Sequence, residues 1–165
     1  MKPGENWGAT AQERALRMAC DELLPDASLR LHRAVSIEAE PPLVFRWLCQ
    51  LKLAPYSYDL LDNLGRRSPR ELVAGCEHLE VGQRFMFIFS LSSFANDRHI
   101  TLRGRRLAVT YALLREGPYT RLLVRVLFVA PDPPLVGGIT ARLLALGDLV
   151  MMRKQLLTLK ELAER

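Results

Sequence analysis

The sequence predicts an α+β domain in which a curved antiparallel sheet wraps a long C-terminal helix, with two short helices after the first strand. Three patterns predict this fold. Residues 29–38 alternate with the period of a strand, residues 79–130 read as strands separated by short turns, and residues 139–164 carry apolar side chains at helical spacing. Successive strands joined by short turns pair antiparallel, so the patterns indicate one sheet with one covering helix.

The composition is that of a globular domain. The 165 residues, 49% hydrophobic and 25% charged, are enough to bury a core without disulfides. The three cysteines Cys20, Cys49 and Cys76 are widely spaced and indicate neither a disulfide framework nor a zinc site. No metal or cofactor is predicted. The N-terminal residues lack the apolar core of a secretory signal, and no apolar run approaches the about 18 to 20 residues of a membrane span, so a cytoplasmic location is predicted.

The net charge of +5 raises the question of an anionic partner. The basic residues cluster beside turns, at residues 66–70 and 103–106, and no aromatic RNA-binding motif or zinc spacing accompanies them. We interpret them as solvated loop arginines and predict no nucleic-acid partner.

The N-terminal residues 1–28 are predicted to form an arm with a short helix, ahead of a single domain at 29–165. Thr10 and Glu13 have the spacing of a capping box, apolar residues follow at helical spacing, and Pro25 ends the run.

The first strand is predicted to have one apolar face, made by Leu29, Leu31, Val35 and Ile37 and interrupted by Arg33. Pro41 and Pro42 suit the first turn of a helix, and a second helix is predicted around Tyr58–Asn63. In the last strand, alternate residues are predicted to face inward: Leu122, Val124, Val126 and Phe128.

The segment 131–138 is predicted to be irregular, and the long helix to begin near Ile139. Its apolar stripe has one row of Leu143, Leu146, Val150 and Leu157 and a second of Leu149, Met152, Leu156 and Leu159. One helix does not fill a strongly curved sheet, so an apolar cavity is expected between them.

Four segments resemble the polyketide cyclase/START-like (SRPBCC) superfamily, in particular a bacterial branch with a YSYD-x-L-[DE]-N segment. They are RAVSIEAEPPLVFRWLCQL (33–51), PYSYDLLDNLGR (55–66), YTRLLVRV (119–126) and LVMMRKQLLTLKELAE (149–164). The resemblance implies a helix-grip fold and hydrophobic-ligand binding, and it does not imply one reaction. Leu60 departs from the Trp usual in that branch, which would reshape the pocket mouth.

The strand predicted at 84–91 supplies aromatic candidates for the cavity. Phe85, Phe87 and Phe89 alternate with Met86 and Ile88, and either set lines the cavity or packs in the core. Both faces are apolar, so the outer one needs cover from the N-terminal helix or from a second subunit in a homodimer.

Polar candidates for ligand binding come from several segments. Tyr58 and Asp59 either contact a ligand at the cavity entrance or cap helices and tie down the next loop. Arg33 and Arg84 either are buried against a carboxylate of the protein or ligand, or reach water along a strand end. Tyr111 shares a strand face with Val109, and its hydroxyl needs a partner if buried. The inward residues Val124, Val126, Leu146 and Val150 complete the candidate lining.

Three functions are compatible with these features, and no catalytic residue is identified. The first is binding of an apolar ligand such as a lipid, polyketide or isoprenoid. Alternatively the chain is a cyclase or dehydratase in which Tyr58, Tyr111, Arg33 or Arg84 orients the substrate. The third possibility is lipid transfer at a membrane surface, suggested by the positive charge and the terminal helix.

Overall fold

The computed structural model describes residues 4–57, 67–129 and 134–165, and within them the predicted helix-grip fold is confirmed. The strands are β1 (Asn6–Trp7), β2 (Leu29–Ile37), β3 (Arg84–Phe85), β4 (Phe89–Ala95), β5 (His99–Arg103), β6 (Leu107–Glu116) and β7 (Tyr119–Phe128). The helices are α1 (Ala11–Ala15), α2 (Ala19–Leu23), α3 (Pro41–Cys49) and α4 (Pro134–Ala163), with a 3-10 turn at Gln50–Lys52. The helix predicted at Tyr58–Asn63 lies outside the described residues.

The strands form one sheet in the order β1-β2-β7-β6-β5-β4-β3, and the short β1 is the parallel neighbour of β2. The first long strand, β2, pairs antiparallel with the last, β7, from Leu29 opposite Phe128 to Ile37 opposite Thr120. A register shift between Leu91 and Ser93 marks a bulge in β4. Because a bulge bends its strand and increases the local twist, it contributes to the curvature that forms a concave face.

The concave face of the sheet packs against α3 and α4. The predicted inward faces of β2 and β7 are confirmed there, since Leu31, Ile37, Leu122 and Val124 belong to the same buried cluster as Leu156 of α4. Hydrophobic burial on this side therefore joins the sheet to both helices.

Residues 4–28, hereafter the N-terminal arm, begin with β1 at the edge of the sheet and then pack on its convex face. Its helix α2 packs against β5, β6 and β7, with Cys20 fully buried. The predicted capping box is present: the Thr10 side chain accepts from the Glu13 amide at 3.2 Å, and the Thr10 amide donates to the Glu13 carboxylate at 2.7 Å.

The arm contains two short helices where one was predicted. The Met18 amide donates to the Asp21 carboxylate at 2.8 Å, which starts α2 as a new helix after the extended Leu16. A second helix start at Met18, eight residues after the cap at Thr10, explains the break.

The prediction of one continuous strand at 84–91 is wrong. The segment is split into β3 and β4, and Phe85 pairs with Phe89 across a tight loop of residues 86–88. Met86 and Phe87 have φ of 44° and 63°, and the Met86 amide donates to the Leu51 carbonyl at 3.1 Å. The loop contains no Gly or Asn, so nothing in the sequence marked this turn.

The predicted start of the long helix is also wrong. α4 begins at Pro134 and includes Gly137 and Gly138 of the segment expected to be irregular. Proline suits a first helical turn, and each interior glycine costs only about 1 kcal/mol relative to alanine. Within the described ranges, no helix is both long enough and apolar enough to cross a bilayer.

Candidate functional site

A partly open pocket of about 200 Å³ lies between the concave face of the sheet and α4. Most of its lining is apolar and includes Pro55, Met86, Phe89, Val109, Val126 and Met152. Its volume is below the roughly 300–1,000 Å³ of pockets for drug-sized ligands. The pocket therefore has the size for a small apolar molecule, or for one end of a larger one.

One face of α4 supplies the pocket's floor. Asp148, Met151, Met152 and Gln155 all line the pocket and are spaced i, i+3, i+4 and i+7, so they share one side of the helix. Two of the four are polar, which places hydrogen-bonding groups inside an apolar space.

Tyr111 of β6 and Gln155 form a buried polar pair. The Tyr111 hydroxyl donates to Gln155 Oε1 at 2.8 Å, and Gln155 Nε2 donates to the Pro55 carbonyl at 2.6 Å. Burial raises the pKa of Tyr111, so its hydroxyl stays protonated. With its proton directed to Gln155, the hydroxyl oxygen presents an acceptor to the pocket.

The second polar feature is an ion pair between Arg33 of β2 and Asp148. Arg33 is fully buried, and its Nη2 lies 2.8 Å from Asp148 Oδ2. The guanidinium also donates to the carbonyls of His32 at 2.9 Å and Gly4 at 2.8 Å. Asp148 thus supplies the protein carboxylate that burial of Arg33 requires.

The Asp148 carboxylate has an unusual environment. Burial raises its pKa to about 6, although Arg33 opposes the shift. Among the described residues, only Arg33 lies within hydrogen-bond distance of this carboxylate, through Oδ2. Its Oδ1 is therefore an acceptor that a ligand can use.

The pocket continues outward into an apolar groove of about 500 Å³ beside the first half of α4. The groove shares Ile88, Leu107, Asp148 and Met151 with the pocket and extends to Leu143, which is 66% exposed. The strained loop 86–88 borders this mouth. Each positive φ at a non-glycine residue costs about 1–3 kcal/mol, and such strain concentrates at binding sites.

The structure brings three of the predicted site residues to the pocket: Phe89, Tyr111 and Val126. Arg33 lies behind the lining and meets the pocket through Asp148. Phe85 and Val124 are buried in the main core cluster and are not among the pocket's lining residues.

Other predicted residues lie elsewhere. Arg84 and Phe87 are exposed beside the outer side of loop 86–88. Tyr58 and Asp59 lie outside the described residues. The inward orientation predicted for Leu146 and Val150 is wrong, since they are 48% and 54% exposed. The second predicted row, with Met152, Leu156 and Leu159, is the one that faces the sheet.

Sequence reasoning missed Asp148 and Gln155. A signal for Asp148 was present, because an arginine on the apolar face of β2 requires a carboxylate and Asp148 is the one acidic residue of α4 before Glu161. Gln155 had no such signal, since its partners Tyr111 and Pro55 are distant in sequence.

Comparisons with known proteins identify the fold. No protein-family model matches the chain, and no curated protein matches its sequence. A crystal structure of a Chromobacterium violaceum protein matches with a TM-score of 0.50 at 14% identity, over 82% of this chain and 97% of that one. Its likeness shows a shared fold.

Other solved structures with this resemblance include a START superfamily protein from Mycobacterium smegmatis. It matches at 12% identity with a TM-score of 0.37, over 78% of this chain and 98% of that one. An Aha1 dimer from Colwellia psychrerythraea matches at 12% identity with a TM-score of 0.46, over 82% of this chain and 96% of that one. A shared fold is compatible with many functions, so the function has to be argued from the pocket.

Proposed function

We propose that this chain binds a hydrophobic small molecule, of the lipid, polyketide or isoprenoid kind, in the pocket between the sheet and α4. The observation that carries the proposal is the placement of Asp148, Tyr111 and Gln155 in a mostly apolar lining. Apolar walls supply non-directional affinity, while a few polar groups fix the orientation of the ligand.

The polar groups also limit the chemistry of the ligand. Asp148 is an anion above pH 6, given its pKa of about 6, and Tyr111 directs its proton to Gln155. Both therefore present acceptors to the pocket. The expected ligand has an apolar body and a hydrogen-bond donor, such as an alcohol, enol, phenol or amide. A carboxylate would be repelled by Asp148, which disfavours a free fatty acid.

Native mass spectrometry of protein purified without detergent tests the proposal. We expect an additional apolar mass on the wild type that organic solvent extracts. Val109→Phe fills the pocket, because Val109 is only 2% exposed and lines it. This variant should lose the additional mass, while Val73→Phe, at a residue that is 42% exposed, should retain it. An identical ligand content in both variants would contradict the proposal.

The cyclase or dehydratase alternative is supported by one observation. A carboxyl group with a pKa of about 6 that lines an apolar pocket is suited to general base catalysis near neutral pH. The probe 5-nitrobenzisoxazole tests this chemistry: a base removes its ring C–H proton, the N–O bond breaks, and a coloured phenolate forms. The alternative predicts ring opening that Asp148→Asn abolishes and Val73→Phe retains. Equal rates with wild type and Asp148→Asn would exclude Asp148 as the base.

The cytoplasmic location stays a prediction.

A further inference from the structure

Loop 86–88 places two large apolar side chains in solvent at the rim of the pocket. Phe87 is 58% exposed and Ile88 is 67% exposed. The loop is strained at Met86 and Phe87, where φ is 44° and 63°. Exposure and strain both cost free energy in the isolated chain, which points to a role for this tip in contact with something else.

Three arginines surround the outer side of the same loop. Arg84, Arg103 and Arg105 line a basin of about 430 Å³ whose wall includes Phe87 and Ile88. No acidic residue is among the described residues that line it. Arg103 is held in place by a hydrogen bond from its Nη1 to the Leu23 carbonyl at 3.0 Å. The basin therefore concentrates positive charge that the described part of its wall does not neutralise.

An apolar surface borders the other side of the loop. The groove along α4 exposes Leu143 and Leu144, 66% and 38% accessible, and includes Ile88. Ile88 thus belongs to the pocket, the groove and the arginine basin at once. The three depressions meet at one surface.

We propose that this surface docks the chain on an anionic lipid bilayer. Guanidinium groups bind phosphate in a bidentate manner, and basic residues close to anionic lipids contribute additively to membrane binding. The exposed tips of Phe87, Ile88 and Leu143 suit the boundary between headgroups and acyl chains. A nucleic acid would use the arginines but would leave the aliphatic side chains in water.

Docking at this surface would also bring the mouth of the pocket to the bilayer. The mouth of the pocket lies at the same surface, so an apolar molecule passes between bilayer and pocket without crossing water. Docking itself uses exterior residues and does not rest on the proposed pocket ligand. The two proposals therefore fail separately.

Flotation with vesicles of phosphatidylcholine, with and without about 30 mol% phosphatidylglycerol, tests the docking. Wild type should bind the anionic vesicles preferentially. The double variant Arg84→Gln/Arg105→Gln should bind them about 30-fold more weakly, which corresponds to about 2 kcal/mol at 1.4 kcal/mol per tenfold. The variant Phe87→Ser/Ile88→Ser should lose binding by at least tenfold. No preference for anionic vesicles in the wild type would overturn the proposal.

Matched controls lie on the N-terminal arm. Leu16, 44% exposed, and Arg17, whose side chain is 80% exposed, give the variants Leu16→Ser and Arg17→Gln. Both should bind vesicles like the wild type, and a loss equal to that of the loop variants would contradict a localised surface.

Two further measurements separate the possible sources of binding. Glycerol phosphate at millimolar concentration should displace the protein from vesicles only weakly; complete displacement would mean that the basin binds a free phosphate and would overturn bilayer docking. Val109→Phe should keep wild-type vesicle binding. If Val109→Phe loses vesicle binding at an unchanged melting temperature, docking through the exterior is wrong. If vesicle binding is normal and no pocket ligand is found, only the proposed pocket function fails.

Discussion

Two arginines on neighbouring strands are buried on opposite faces of the sheet. Arg33 of β2 is on the concave side and Arg125 of β7 is on the convex side, at 0% and 4% exposure. Each pairs with one aspartate, Asp148 at 2.8 Å and Asp21 at 2.5 Å. In both arginines, the Nε atom has no hydrogen-bond partner among the described residues. Their immediate chemistry is almost the same.

The two aspartates differ in what else they bind. Asp21 accepts from Arg125, from Arg30 at 2.8 Å and from the Met18 amide at 2.8 Å, so both of its oxygens are used within the fold. Within the described ranges Asp148 accepts from Arg33 alone and lines the pocket. Asp21 holds the arm to the sheet, while Asp148 keeps an acceptor for a ligand.

This contrast shows why a buried ion pair does not reveal its role by itself. The desolvation cost of such a pair largely offsets its Coulomb attraction, so its presence is weak evidence for stability. The number of acceptor positions left open, and the space in front of them, separates a structural carboxylate from a binding one.

The largest effect is expected on the convex side, from Asp21→Ala. The substitution leaves Arg125 buried without its carboxylate and removes the α2 cap, so the free energy of unfolding should fall by about 3–5 kcal/mol in urea denaturation. Glu22→Ala is the control, because Glu22 pairs with Arg17 on the surface, and its change should stay within about 0.5 kcal/mol. A loss below about 1 kcal/mol for Asp21→Ala would remove Asp21 from its structural role.

A smaller change is expected on the concave side, from Asp148→Asn. Asparagine keeps an oxygen for Arg33, and burial raises the pKa of Asp148, so the folded state gains little from its charge and the unfolding free energy at pH 7 should change by no more than about 2 kcal/mol. The co-purified ligand should be lost from this variant and retained by folded Asp21→Ala, as measured by native mass spectrometry. Retention in both variants would show that the two aspartates are equivalent.

The pH dependence should separate the faces with the smallest effect. The folded pKa of Asp148, about 6, lies above its ordinary 3.8, so the folded state binds the proton more tightly than the unfolded state. Stability from this group therefore rises as pH falls through 6 and is lost as pH rises. Between pH 7 and 5 the main contribution comes from the one unit below pH 6, so the stability should increase by about 1.4 kcal/mol.

The arm should behave in the opposite sense. Arg121 lowers the pKa of Glu13 from 4.5 to about 2, so the contribution of this pair is complete above pH 4.5 and is lost as pH falls toward 2. Urea denaturation at pH 7 and 5 should show the increase in wild type and not in Asp148→Asn, and hydrogen exchange should show the arm docked at both values. An arm released at pH 5, or an equal increase in both proteins, would refute the separation.

The sequence predicted the parts of the fold that depend on local pattern. The period of two in β2 and β7, the proline start of α3 and the capping box at Thr10 were all read correctly, because each lies within a few neighbouring residues. The turn at 86–88 could not be predicted, since a backbone hydrogen bond to Leu51, far away in sequence, holds it.

The pocket was only partly predictable. Tyr111 and Val126 follow from strand alternation, which fixes the face of each residue. Alternation left open whether Phe89 or its neighbours Met86 and Ile88 face the pocket, and all three line it. Along α4 the apolar residues are spread around the helix, so the pattern did not select the face that meets the sheet. The pairing of Arg33 with Asp148 depends on that rotation and became visible only in three dimensions.

The central claim is that Asp148 accepts a hydrogen bond from an apolar ligand in the pocket. Binding of 2-naphthol and 2-methoxynaphthalene, measured by fluorescence titration at pH 7.5, tests it directly, because the two probes share their rings and differ in the donor. Wild type should prefer 2-naphthol by about tenfold or more, the equivalent of about 1.5 kcal/mol for a hydrogen bond to a charged group. Asp148→Asn should lose that preference. Equal affinity of the wild type for the two probes, or an unchanged preference in Asp148→Asn, would contradict the account.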